Sequence, residues 1–251
     1  MELLKNCCHK VHIHFVTFLY LGFAFIIDYE ARFLSALTIA CIHELCHLLM
    51  AYYFHFQIEK IEILPFGAYL SLKDFYFHPI KEELCVVIAG PCSHLFIDMI
   101  ITFLFKGEFY DYLKTMNLLI FLFNLMPIYP LDGHRVLCLL LQSVLDLKEA
   151  LYFSLKISIF SLIILGVCYC EINTIVLISF LCIQQFSFYR FIPQYLRLYY
   201  SRINIIKKNK RKKFHYQAKY RRGYHNYYFI NSSLYDETQI VHLLLKNIKQ
   251  K

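Results

Sequence analysis

The sequence predicts an all-α polytopic membrane protein, with about six transmembrane helices and a small membrane-associated β-hairpin after the second. Three observations carry that fold class. The chain has 251 residues, 59% of them hydrophobic, and no Trp. Its apolar runs repeatedly reach the length of about 18 residues that a membrane crossing needs. Its charge is divided sharply along the chain: the net +8 splits into +13 from Arg190 onward and −5 before it.

The spans fall at about 11–27, 33–54, 84–105, 113–131, 152–170 and 172–190. The first, Val11–Ile27, lacks a small-residue cleavage site, so it is a span rather than a removable signal peptide. Segment 58–72, IEKIEILPFGAYLSL, alternates and then breaks at Pro65–Gly67, the pattern of a short hairpin, and its apolar content places it at the membrane face. The basic, aromatic-sprinkled stretch 202–222 reads as a linker. Beyond it, a strand is expected around Tyr227–Ile230 and a helix around Glu237–Ile248. Residues 1–200 therefore form the membrane domain and 201–251 a basic tail, of which residues 223–251 are too few for a core of their own.

Lys and Arg collect on the cytoplasmic side of membranes. The tail should face the cytoplasm, and an even number of crossings puts the N-terminus with Lys5 and Lys10 there too, along with segment 55–82. A basic tail beside a membrane contacts anionic lipid. No nucleic-acid-binding motif accompanies the charge, so nucleic acid is excluded as a partner. The ten cysteines lack paired zinc-finger spacing, and most sit inside apolar runs as small hydrophobes.

Chemistry concentrates in CIHELCHLLM, residues 41–50. His43 and His47 lie one helical turn apart on one face, so both imidazoles can bind one ion. Glu44, next to the first, points to where a water at that ion would sit and can take its proton. Glu44 is also the only acid in the apolar stretch 33–54. Ionisable groups are costly inside a span and signal function. A catalytic zinc needs a third protein ligand. Asp132, in FNLMPIYPLDGHRVL (residues 123–137), ends a span running towards the same side and reaches similar depth.

Together, H-E-x-x-H in one span and N-x-x-P-x-x-P-L-D-G in a later one resemble the site-2 protease family of intramembrane zinc metalloproteases, peptidase family M50, over roughly residues 30–190. The six spans, the ILPFGA hairpin and the absence of a PDZ-like insertion most resemble its sporulation branch. The resemblance implies a zinc-dependent endopeptidase with His43, His47 and Asp132 as Zn²⁺ ligands and Glu44 as general base. It implies substrate contacts from Asn124, Pro127 and Pro130, and from Phe66 in the membrane-facing loop. The substrate would be a membrane-associated protein, in that branch a sigma-factor precursor, cut near the cytoplasmic face of a bacterial cytoplasmic membrane. Membrane-protein inhibitors or regulators and a homo-oligomer are further partners in that picture.

The chain departs from the family pattern at Cys46, where Gly is usual, at His134 in Leu131-Asp132-Gly133-His134, and at His94 in IAGPCSH, where Asn is usual. For His94 and His134, packing or interfacial roles are favoured over polar contact with the site. Relatives in the sporulation branch often end in a nucleotide-sensing CBS domain, for which 201–251 is too short. The rival reading is a metal-ion transporter or metal-binding membrane protein. It needs a path of acidic or His residues along the spans, to which only Asp98 adds clearly. Intact His43, Glu44, His47 and Asp132 argue against an inactive relative.

Overall fold

The computed structural model describes residues 11–13, 15–26, 30–64, 67–168, 172–204, 206, 211–230 and 232–248. In chain order the elements are β1 (Val11–Ile13), α1 (Phe15–Ile26), α2 (Glu30–Tyr53), β2 (Gln57–Leu64), β3 (Gly67–Lys73), a 3₁₀ turn (Phe75–Phe77), α3 (Ile80–Leu104) and α4 (Glu108–Leu125). These are followed by α5 (Asp132–Val144), α6 (Leu147–Cys168), α7 (Ile172–Ser201), β4 (Lys212–His215), β5 (His225–Ile230), β6 (Ser233–Asp236) and α8 (Val241–Ile248).

Among the described residues, α2, α3 and α6 are long and apolar enough to cross a membrane. Their patterning is that of helices in lipid. In α2 the buried residues are Ile39, His43, His47 and Ala51, four apart, while Leu34, Leu45, Leu49 and Tyr53 face outward. Polar groups turn in and leucines turn out, because hydrocarbon solvates leucine and rejects imidazole.

At the other expected spans the elements have different limits. Residues 11–13 are a strand, and α1 has 12 residues. Helix α4 ends at Leu125, not at 131. Pro127 and Pro130 follow, and proline removes a backbone donor and disfavours helix in the residue before it. Helix α7 runs eleven residues past 190, through Pro193, to Ser201.

The fold is mostly helical, as expected, but the all-α class needs a correction, because the described residues include two three-stranded sheets. In the first, β2 and β3 pair antiparallel, from Gln57↔Lys73 to Leu64↔Gly67, the expected hairpin. Strand β1 adds to β2 in parallel. Pro65 and Phe66, the expected turn, lie outside the described residues. The second sheet, β4-β5-β6, lies in the tail, with β5 where a strand was expected.

The chain divides into two compact units, Met1–Tyr76 with Cys85–Asn124, and Phe77–Leu84 with Leu125–Lys251. In the first, Ile39, Ile97, Ile101 and Leu113 form an apolar cluster that joins α2, α3 and α4. The second holds a cluster of Ile128, Leu162 and Leu181, and an aromatic core at its C-terminal end. There Tyr199, Tyr220 and Tyr228 are almost fully buried, and Tyr199 stacks on Phe77 at 5.6 Å. Asn226 knots the small sheet to its surroundings. Its side chain accepts from the Arg221 N–H at 2.9 Å and donates to Glu237 Oε2 at 3.0 Å.

Candidate metal centre

Helix α2 brings His43, Glu44 and His47 together, with one ligand atom from each lying within 4.8 Å of the others. The two histidines are buried, 3% exposed each, and Glu44 is half-buried. The helical repeat sets this arrangement, since residues four apart share a face. The ring nitrogens that meet are the two Nε2 atoms, 3.1 Å apart.

The opposing wall is α3. At Val86 its carbonyl oxygen lies 2.7 Å from His47 Nδ1. At His94 the imidazole Nε2 lies 3.0 Å from His43 Nδ1, and His94 Nδ1 lies 2.7 Å from Asn117 Oδ1 on α4. Between them, at Gly90, a Cβ would fall 2.1 Å from His47 Nε2 and 2.7 Å from His43 Nε2. Residues 86, 90 and 94 thus form one stripe along α3.

These residues fit a zinc ion. Zinc binds imidazole nitrogen at about 2.0–2.1 Å, and the space that the bare Gly90 backbone leaves beside both Nε2 atoms is of that reach. His94 is therefore a polar partner of the site, against the packing role favoured from sequence. His134 does pack. It is buried edge-on against Tyr129 and Phe188, with ring centroids at 5.5 and 5.0 Å. Burial, with the Arg135 guanidinium nearby, lowers its imidazole to about 4, so the ring is neutral.

The second motif is built locally in the other unit. Asp132 starts α5 and is buried at 6% exposure, with Arg135 Nη1 3.5 Å from Oδ1. A Cβ on Gly133 would sit 2.1 Å from the Leu125 carbonyl oxygen, so only glycine lets α5 begin so close to the end of α4. The loop between these helices is fastened at Tyr129. Its N–H donates to Ser158 Oγ at 2.9 Å, and its carbonyl accepts from Gln185 Nε2 at 2.8 Å. Ser158 in turn donates to Gln185 Oε1 at 2.6 Å, closing the ring of bonds. Of the expected substrate contacts, Pro127 is half-buried and Pro130 exposed. Asn124 Nδ2 donates to its own helix at the Ile120 carbonyl, 3.0 Å away. Phe66 is outside the described residues.

Sequence reasoning did not identify Gly90, Asn117, Ser158 or Gln185. A signal existed for the last three, since each is a polar residue inside an apolar helix.

Residues 32–110 match the model of peptidase family M50. The chain is 28% identical to stage IV sporulation protein FB of Bacillus subtilis (strain 168), over 93% of this chain and 90% of that protein. It is 30% identical to a zinc metalloprotease of Methanocaldococcus jannaschii, over 59% of this chain and 46% of that protein. Its fold is similar to the solved site-2 protease from Methanocaldococcus jannaschii, with a TM-score of 0.54 and 24% identity, covering 70% of this chain and 89% of that one. With a His-Glu-His cluster that fits zinc, set in an apolar helix inside the segment that matches peptidase family M50, the chain is similar in sequence and fold to site-2 protease type zinc metalloproteases.

Proposed function

We propose that this chain hydrolyses a peptide bond of a membrane-associated protein substrate near the cytoplasmic face of a bacterial cytoplasmic membrane. The observation that carries this reading is the pair of buried His Nε2 atoms converging beside Glu44, inside a helix that lipid would otherwise line with leucine. His43, His47 and Asp132 would hold the zinc. When bound, the ion supplies a Lewis acid that polarises the scissile carbonyl and acidifies water. Glu44 takes the proton of the attacking water and returns it to the leaving amine.

A substrate helix must unwind before it can be cut, because its carbonyls are tied up in intrahelical bonds. The freed strand then needs partners. β3 is the outer strand of its sheet among the described residues, and an outer strand can accept an extended peptide. Asn124, Pro127, Pro130 and Phe66 would line the path. The crossings number about six, with both termini and the hairpin cytoplasmic. Residues 1–200 serve as the membrane domain, and the 201–251 tail contacts anionic lipid. The similarity to a sporulation protein supports a sigma-factor precursor as substrate.

Co-expression of wild type and Glu44→Gln with candidate membrane-bound substrates tests the reading. The amide keeps the shape of the side chain but cannot act as a base at neutral pH. Cleavage should fall by about 10²–10⁴ while zinc stays bound. Wild-type cleavage by Glu44→Gln would defeat the mechanism.

A further inference from the structure

The hydrogen bonds behind His43 have a direction, and it can be read from the far end. Asn117 Nδ2 donates to the backbone carbonyl of His94 at 3.0 Å. A carbonyl only accepts, so this contact fixes which end of the Asn117 amide is nitrogen. The amide oxygen then faces His94 Nδ1 at 2.7 Å, and His94 must carry its proton there. In a neutral imidazole the other nitrogen is an acceptor. His94 Nε2 therefore accepts, and His43 Nδ1, 3.0 Å away, donates. The remaining nitrogen of His43, its Nε2, is left with a lone pair. The same logic holds for His47, whose Nδ1 must donate to the Val86 carbonyl at 2.7 Å.

We propose that His94, held by Asn117, is a positioning residue for the metal centre: it fixes His43 in the tautomer and ring orientation that present Nε2 to the ion. His94 and Asn117 are buried at 2% and 4% exposure, so no water competes for these bonds. His47 takes its orientation from a backbone carbonyl, which no substitution removes. His43 depends on a side chain, and is the more easily disturbed ligand.

The inference rests on the metal reading of His43 and His47, and its test reads metal, not cleavage. Zinc affinity of the full chain in detergent is measured by chelator competition for wild type, His94→Leu, His94→Gln and Asn117→Ala. Absorption spectra of the cobalt-loaded proteins are recorded alongside. His94→Leu should weaken zinc about 10- to 100-fold and shift the cobalt bands, the usual cost of losing an outer hydrogen bond to a ligand. His94→Gln, whose amide oxygen can still accept from His43 Nδ1, should recover most of that loss.

A folded His94→Leu with wild-type affinity overturns the proposal, and so does a folded His94→Gln no better than His94→Leu. If His94→Leu does not fold, Asn117→Ala decides, since it keeps the ring but removes its anchor. Weakened zinc there supports the relay, and unchanged zinc overturns it. The parent reading fails separately, if His43→Ala and His47→Ala both retain zinc.

Discussion

Two buried polar networks in this chain are held together in different ways. In the first unit, His43, His47, His94 and Asn117 are linked by ring, amide and carbonyl contacts with no carboxylate or guanidinium among them. In the second, the Arg222 guanidinium meets the Glu83 carboxylate, and both are at most 2% exposed. Arg222 also donates to Gln142 Oε1 at 2.7 Å and to the His78 carbonyl at 2.6 Å. That network balances its own charge. The histidine network brings two ring nitrogens to one point and, in the proposed reading, would be completed by a cation. The contrast separates a structural lock from a binding site, although both are polar groups buried at similar depth.

Substitution at Gly90 should have the larger effect on the first network. Gly90→Ala places a methyl group 2.1 Å from His47 Nε2, where the ion would sit. Because both rings are held from behind, neither can easily turn away. Zinc content should drop to near background in a chain that still folds, as measured by elemental analysis beside circular dichroism. Wild-type zinc in Gly90→Ala would show that the space beside α3 is not the metal's.

The second network should respond in stability and not in metal. Arg222→Met leaves the Glu83 carboxylate buried without its partner, and breaking a buried pair costs about 3–5 kcal/mol. Thermal or denaturant unfolding in detergent should show this loss, with zinc per folded chain unchanged. An unaltered midpoint would mean that the pair is not the lock described here.

How much of this was legible in the sequence depends on the range of the interaction. His43, Glu44 and His47 are joined by the helical repeat alone, so their spacing was enough to bring them together. The hairpin followed from alternation broken by Pro65–Gly67, and the strand expected around Tyr227–Ile230 lies within β5. The stripe at 86, 90 and 94 was visible as a four-residue spacing in VVIAGPCSH, but nothing local said that it faces α2. His94 looked like a packing residue because its value comes from a contact 51 positions away. Arg222 looked like one more charge in a basic tail, whereas its partner Glu83 lies 139 residues earlier. Helix α4 was drawn too long because apolar residues continue to Leu131, although Pro127 and Pro130 stop the helix at Leu125.

In the proposed reading, the imidazoles of His43 and His47 are buried in α2 to hold one metal ion. Elemental analysis of purified full-length chain, handled without chelators, tests it most directly. About one zinc per chain is expected in wild type, close to none in His47→Ala, and sharply less in Asp132→Ala, the third ligand in the proposed set. Full zinc occupancy in His47→Ala, or a wild-type chain that binds no zinc, would contradict the account.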